Sequence, residues 1–172
     1  KILASASADK TIKLWDVGKS RAIGNPLTGH GANVSALAFS PDGKMIATGS
    51  VDRMIRLWDV QTGRSRPPFE GHVTLISAIA FSPDGKTIAS GSYDITIKIW
   101  DVARSKQLHH LTGHTSEVTG VAFNADGTML ASSSRDKTIK LWNTQTGQEI
   151  RTLPGHASDV FAVAFSPDGK TL

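Results

Sequence analysis

The sequence predicts an all-β chain built from four copies of one antiparallel, four-stranded unit, and three markers in a single phase carry that expectation. Gly-His pairs stand at Gly29-His30, Gly71-His72, Gly113-His114 and Gly155-His156, each 42 residues after the last. Tryptophans at Trp15, Trp58, Trp100 and Trp142 are spaced by 43, 42 and 42 residues. Between them the turn Ser40-Pro41-Asp42-Gly43 returns as Ser82-Pro83-Asp84-Gly85, Asn124-Ala125-Asp126-Gly127 and Ser166-Pro167-Asp168-Gly169. No sustained apolar stripe of helical period occurs, so helices are not expected.

Each element of one period has its own reason. From Val34 to Phe39 apolar residues alternate around Ser35, and Asp42-Gly43 then supplies the positive-φ position that a tight hairpin needs. Met45–Ser50 is the second strand. The turn around Val51–Arg53 leads into the third, Met54–Trp58, where Ile55 and Leu57 alternate with Met54, Arg56 and Trp58. Gln61-Thr62-Gly63 turns the chain into a more polar fourth strand, Arg64–Phe69. Its Pro67 and Pro68 cannot donate to a ladder, which places it at an outer edge. The extra residue of the first interval falls between Trp15 and His30, where Gly18, Gly24 and Pro26 mark a loop able to absorb it.

Composition sets outer bounds. Of 172 residues, 39% are hydrophobic and 20% charged, a globular balance that excludes disordered and fibrous chains. The absence of cysteine excludes disulfides, thiolate metal sites and cysteine nucleophiles, and suits an intracellular, cytoplasmic location. No run of about 18 apolar residues exists, since Val73–Phe81 already holds Thr74 and Ser77, so a membrane-spanning helix is excluded and no membrane partner is expected. A net charge of +4 permits an acidic partner without requiring nucleic acid.

The Gly-His, Ser-Pro-Asp-Gly and Trp-Asp markers, with Leu/Ile-Lys/Arg-Leu/Ile before each Trp, resemble the WD-repeat β-propeller family from end to end. The departures are Asn143, in place of the Asp after Trp142, and Asn124-Ala125, in place of Ser-Pro. The resemblance implies four-stranded blades packed radially around a channel. Residues 1–172 then form four repeats, with the first blade split between a C-terminal strand at 160–165 and N-terminal strands within 2–28. Lys1-Ile2-Leu3 and Lys170-Thr171-Leu172 share one phase. Rings of this family have about seven blades turning about 51° each, against about 90° for four. Closure is therefore expected from a second copy, giving an eight-bladed ring, or from further sequence; a strained four-blade ring is the remaining arrangement.

The recurring His, Ser/Thr and Asp have the composition of a hydrolase triad. A catalytic set is singular, however, whereas this one returns in every copy, so the expected role is folding and the chain is not expected to be an enzyme. The family resemblance supplies a hydrogen-bonded tetrad in its place: His30, Thr48, Asp52, Trp58; His72, Ser90, Asp94, Trp100; and His114, Ser132, Asp136, Trp142. A fourth set is divided between His156 and Ser5, Asp9, Trp15. The hydroxyl of each set is open between these residues and Ser50, Ser92, Ser134 and Ser7.

Other motifs carry little. Gly18-Lys19-Ser20 lacks the upstream Gly and the following helix of a phosphate-binding loop. His109-His110 has no metal-ligand spacing, and no metal or cofactor is expected. The basic residues Lys10, Lys13, Arg53, Arg56, Lys98, Lys137 and Lys140 recur around strand three, and their alternation with Ile and Leu suits a solvated or rim face better than a nucleic-acid surface.

By the same resemblance, function lies on the rim formed by the Gly-His loops and the strand two to three turns. Two positions per repeat point there: Ala8, Val51, Tyr93 and Arg135 before each tetrad Asp, and Asn33, Leu75, Glu117 and Asp159 three residues after each His. These vary where the rest is nearly uniform. Tyr93 and Arg135 are residue types favoured as binding anchors, Leu75 and Val51 are apolar neighbours, and Glu117 and Asp159 select by charge. The expected function is a scaffold binding protein or peptide partners, with a polyanion binder and, more remotely, a hydrolase as the competing readings.

Overall fold

The computed structural model describes all 172 residues, Lys1–Leu172, as four successive antiparallel sheets without a helix. Blade 1 holds β1 (Ile2–Ala6), β2 (Ile12–Asp16) and β3 (Arg21–Leu27). Blade 2 holds β4 (Val34–Phe39), β5 (Met45–Ser50) and β6 (Ile55–Asp59). Blade 3 comprises β7 (Ile76–Phe81), β8 (Thr87–Ser92), β9 (Ile97–Asp101) and β10 (Lys106–Leu111). Blade 4 comprises β11 (Val118–Phe123), β12 (Met129–Ser134), β13 (Ile139–Asn143) and β14 (Glu149–Leu153). In every sheet neighbours in sequence are neighbours in space, so each blade is a meander.

The repeated turn builds its hairpin as its chemistry requires. Gly43, Gly85, Gly127 and Gly169 have φ of 69°, 70°, 76° and 68°, a region that costs glycine no Cβ clash. Ser40 Oγ accepts from the Met45 N–H at 2.9 Å and donates to Asp42 Oδ1 at 2.6 Å. In the variant turn Asn124 Oδ1 takes the Met129 N–H at 2.9 Å, so the departure from Ser-Pro preserves the turn.

Two expected strands differ. Arg64–Phe69 does not form a continuous ladder: it meets β6 only through isolated bridges, Ile55 with Phe69 and Trp58 with Ser65. Pro67 and Pro68 remove the two donors between those points. Residues 160–165, expected as a strand, join no sheet.

Blades adhere through unlike faces. Ala47, Ile55 and Leu57 of blade 2 pack against Ile76, Ile79, Ile88 and Trp100 of blade 3. The same relation joins Ile97, Ile99 and Leu111 to Val118, Leu130 and Trp142. Glycine allows the approach, since a Cβ on Gly91 would lie 2.6 Å from Val118 Cγ1. A β-bulge on each inner strand then aims a hydroxyl at the next blade: Ser35 Oγ donates to Ile76 O and Ser77 Oγ to Val118 O, both at 2.5 Å, and Thr119 repeats the bond with Val160 O.

The strand-three cations divide. Lys10, Lys13, Arg53 and Lys137 are exposed. Lys98 and Lys140 are not on the solvated face expected for them. They are 6% and 9% exposed, with Lys98 Nζ donating to Gln107 Oε1 at 3.0 Å and Lys140 Nζ to Glu149 Oε2 at 2.9 Å. Their alkyl stems lie on the tryptophan side of the sheet, near the Gly71 and Gly113 backbones.

Candidate functional site

Three complete hydrogen-bond chains form the frame of the rim. In blade 4, Trp142 Nε1–H donates to Ser132 Oγ at 2.8 Å, and Ser132 Oγ meets His114 Nε2 at 2.7 Å. His114 Nδ1 meets Asp136 Oδ2, also at 2.7 Å. Blade 3 repeats this with Trp100, Ser90, His72 and Asp94, at 2.9, 2.8 and 2.8 Å. Blade 2 uses Trp58, Thr48, His30 and Asp52, each step 2.8 Å. The hydroxyl four residues before each Asp therefore occupies the chain. Those two before it, Ser50, Ser92 and Ser134, instead accept from the Asp backbone N–H at 3.0, 3.1 and 3.0 Å and brace the turn.

One protonation pattern satisfies every member. Indole donates only; with Nδ1–H given to the carboxylate, a neutral imidazole leaves Nε2 to accept the hydroxyl proton. Burial pushes the His30 and His114 imidazoles below their ordinary value despite the raising influence of Asp52 and Asp136. Burial also acts to raise the Asp136 carboxyl, but bonds from Thr138, His114 and the Thr115 N–H outweigh it and hold the group at about 2. Asp52 and Asp94 are held low in the same manner.

The fourth set is not assembled within the chain. Trp15 Nε1–H donates to Ser5 Oγ at 2.8 Å, and Asp9 Oδ1 accepts from Thr11 as its counterparts do in the complete sets, but His156 is exposed at the far end of the chain rather than against Asp9 Oδ2.

The variable positions expected on the rim flank the tetrad residues in sequence, one just before each Asp and one three residues after each His. In blades 2, 3 and 4 the two are tied by one backbone bond: Val51 N–H to Asn33 O at 2.9 Å, Tyr93 N–H to Leu75 O at 3.1 Å, and Arg135 N–H to Glu117 O at 3.0 Å. Ala8, Asn33 and Val51 are exposed, whereas Leu75 is half-buried.

Across blades 3 and 4 the side chains converge. Arg135 Nη2 donates to the Tyr93 hydroxyl at 2.9 Å, and its Cζ lies 5.0 Å from the Tyr93 ring centroid. Glu117 Oε1 and Asp159 Oδ2 flank the same guanidinium, each at 3.9 Å. The Ser116 hydroxyl, 2.5 Å from Glu117 Oε2, leads the influences that lower that carboxyl, with Arg135 adding to it. The family resemblance supplies the expected rim positions one by one; it does not supply the reach of Arg135 across a blade boundary. It also misses the residue after each tetrad Asp. Lys10, Arg53, Ile95 and Lys137 all adopt left-handed backbone, at φ of 73°, 73°, 66° and 70°.

Comparison with known proteins agrees with this frame. The family described as the WDR3 first beta-propeller domain matches residues 3–172. The mouse F-box-like/WD repeat-containing protein TBL1X is 54% identical over 43 residues, which is 25% of this chain and 8% of that relative.

Proposed function

As the chain belongs to the WD-repeat β-propeller family, we propose that it is a non-catalytic scaffold whose rim engages a protein or peptide partner, with Tyr93 and Arg135 as its anchors. One observation carries the reading. The frame is nearly invariant between repeats, yet at the rim the copies diverge into a neutral side, at Ala8, Asn33 and Val51, and an interlocked polar side at Tyr93, Glu117, Arg135 and Asp159.

Catalysis is disfavoured because the His30, His72 and His114 side chains are wholly buried and spend both ring nitrogens on the tetrads. A polyanion surface is weakened by the burial of Lys98 and Lys140. Affinity for a captured protein partner, measured for Tyr93→Ala and Arg135→Ala, tests the rim, and a steep salt dependence of binding would favour the polyanion reading instead. Cytoplasmic placement and an eight-bladed ring of two copies belong to the same proposal; light scattering on the 18.3 kDa chain tests the latter.

A further inference from the structure

At the end of the blades opposite the rim, a groove of about 440 Å³ opens between blades 2 and 3. Its apolar surface comes from Met45, Phe81 and Val102, with Pro41 and Pro83 at the edges. The three former side chains are only partly buried against the core between these blades. The corresponding groove between blades 3 and 4 is about 180 Å³ and has no such floor. Three lining positions change 42 residues on: Ala125 replaces Pro83 at the edge, and the other two alter the floor. Thr87 stands where Met45 does, and Thr144, in the phase of Val102, closes the space by donating Oγ1–H to Gly127 O at 2.7 Å. Valine cannot make that bond, so the groove beside Gly85 stays open.

The mouth is acidic. Asp42 and Asp84 both line it and no cation does. Each carboxylate is fixed by its own turn, Asp42 through Ser40 Oγ and the Lys44 N–H, Asp84 through Ser82 Oγ and the Lys86 N–H. These bonds hold both groups below the usual carboxylate range. Asp42 makes no ion pair, with the Lys44 charge acting on it only from a distance, and Asp84 pairs only with the exposed Lys86 at 3.8 Å.

We propose that this groove is a second binding site, independent of the rim, for a peptide segment of a partner protein in which an aromatic or aliphatic side chain is followed by a basic one. The apolar side chain fills the space over Met45, Phe81 and Val102. The cation lies between Asp42 and Asp84. A volume of this order accommodates one large side chain with its backbone, and methionine at the floor adapts to the shape presented.

The test is an NMR titration of the 172-residue chain with acetyl-Phe-Lys-amide and acetyl-Phe-Glu-amide. The lysine peptide shifts the Met45 and Val102 methyls and the Gly85 amide, and binds more tightly than the glutamate peptide. Met45→Thr with Val102→Thr, which copies the floor of the neighbouring groove, weakens it about tenfold or more. Asp42→Asn with Asp84→Asn removes the preference between the peptides while leaving the methyl shifts. Unchanged tryptophan indole resonances show that each variant is folded; should the threonine pair unfold, the asparagine pair decides. Equal binding of the two peptides, no shift at Gly85, or undiminished binding by a folded variant overturns the proposal and leaves the rim reading untouched.

Discussion

Arg135 joins Tyr93 across a blade boundary, donating Nη2–H to its hydroxyl at 2.9 Å while its Cζ stands 5.0 Å from the ring centroid. Forty-two residues separate the pair, one full repeat. Tyr93→Phe keeps the ring and removes the acceptor, whereas Arg135→Ala removes both contacts. A double-mutant cycle on thermal stability gives a coupling of about 1 kcal/mol for Tyr93→Ala with Arg135→Ala. A coupling indistinguishable from zero means the pair is not formed in solution.

The tetrads predict where the fold is most sensitive. Ser132→Ala strips Trp142 Nε1–H of its acceptor and His114 Nε2 of its donor, both inside blade 4. Two buried polar groups lose their partner, a cost of about 2–4 kcal/mol. Ser5→Ala removes a single bond from the part-buried Trp15 and costs about 1 kcal/mol. Urea denaturation of the two variants checks both the ranking and the size.

Acid should unfold the chain in two stages. His30 and His114 have native pKa values below their unfolded value, so the unfolded state takes up their protons first as pH falls through the ordinary histidine range. Stability declines there, because the neutral tautomer that fits the tetrad is lost. Below the ordinary carboxylate value of 3.8 the unfolded state also protonates Asp136, which stays ionised in the fold down to about 2. That group alone withdraws about 2 kcal/mol by the end of the window. Asp52 and Asp94 act in the same sense. Melting temperature followed from pH 8 to pH 2 reads both stages, and a stability that rises on acidification contradicts the assignment.

Ile95 stores backbone strain. It is β-branched, 43% exposed and held at φ 66°, where Lys10, Arg53 and Lys137 fill the same place in the other turns. Ile95→Asn relieves the clash at little hydrophobic cost and stabilises the fold by about 1 kcal/mol. Differential scanning calorimetry records this as a rise of several degrees, with a smaller change for Lys137→Asn.

The sequence carries the blades plainly because its markers encode local chemistry: Asp-Gly a turn, alternation a strand, the tryptophan a donor at a fixed distance from its hydroxyl. It says less about what depends on neighbours. Arg64–Phe69 reads as a strand by position, but two prolines break its ladder. Lys98 and Lys140 read as solvated from alternation alone, yet the glycines at Gly71 and Gly113 and the partners Gln107 and Glu149 allow their burial. The choice between Thr48 and Ser50 turns on a two-residue register that sequence leaves open, and the backbone resolves it by aiming alternate hydroxyls at the tetrad and at the turn. Periodicity also hides the groove between blades 2 and 3, which arises where the copies differ at Met45, Pro83 and Val102.

In the proposed function, a nearly invariant frame presents variable rim residues to a partner. Surface plasmon resonance of one purified protein partner over the immobilised chain, compared with Tyr93→Ala and Arg135→Ala of verified melting temperature, tests it most directly. The account predicts at least about a tenfold loss of affinity in each variant, with the fold intact. Unchanged affinity in both, on equally folded protein, contradicts the assignment of the rim.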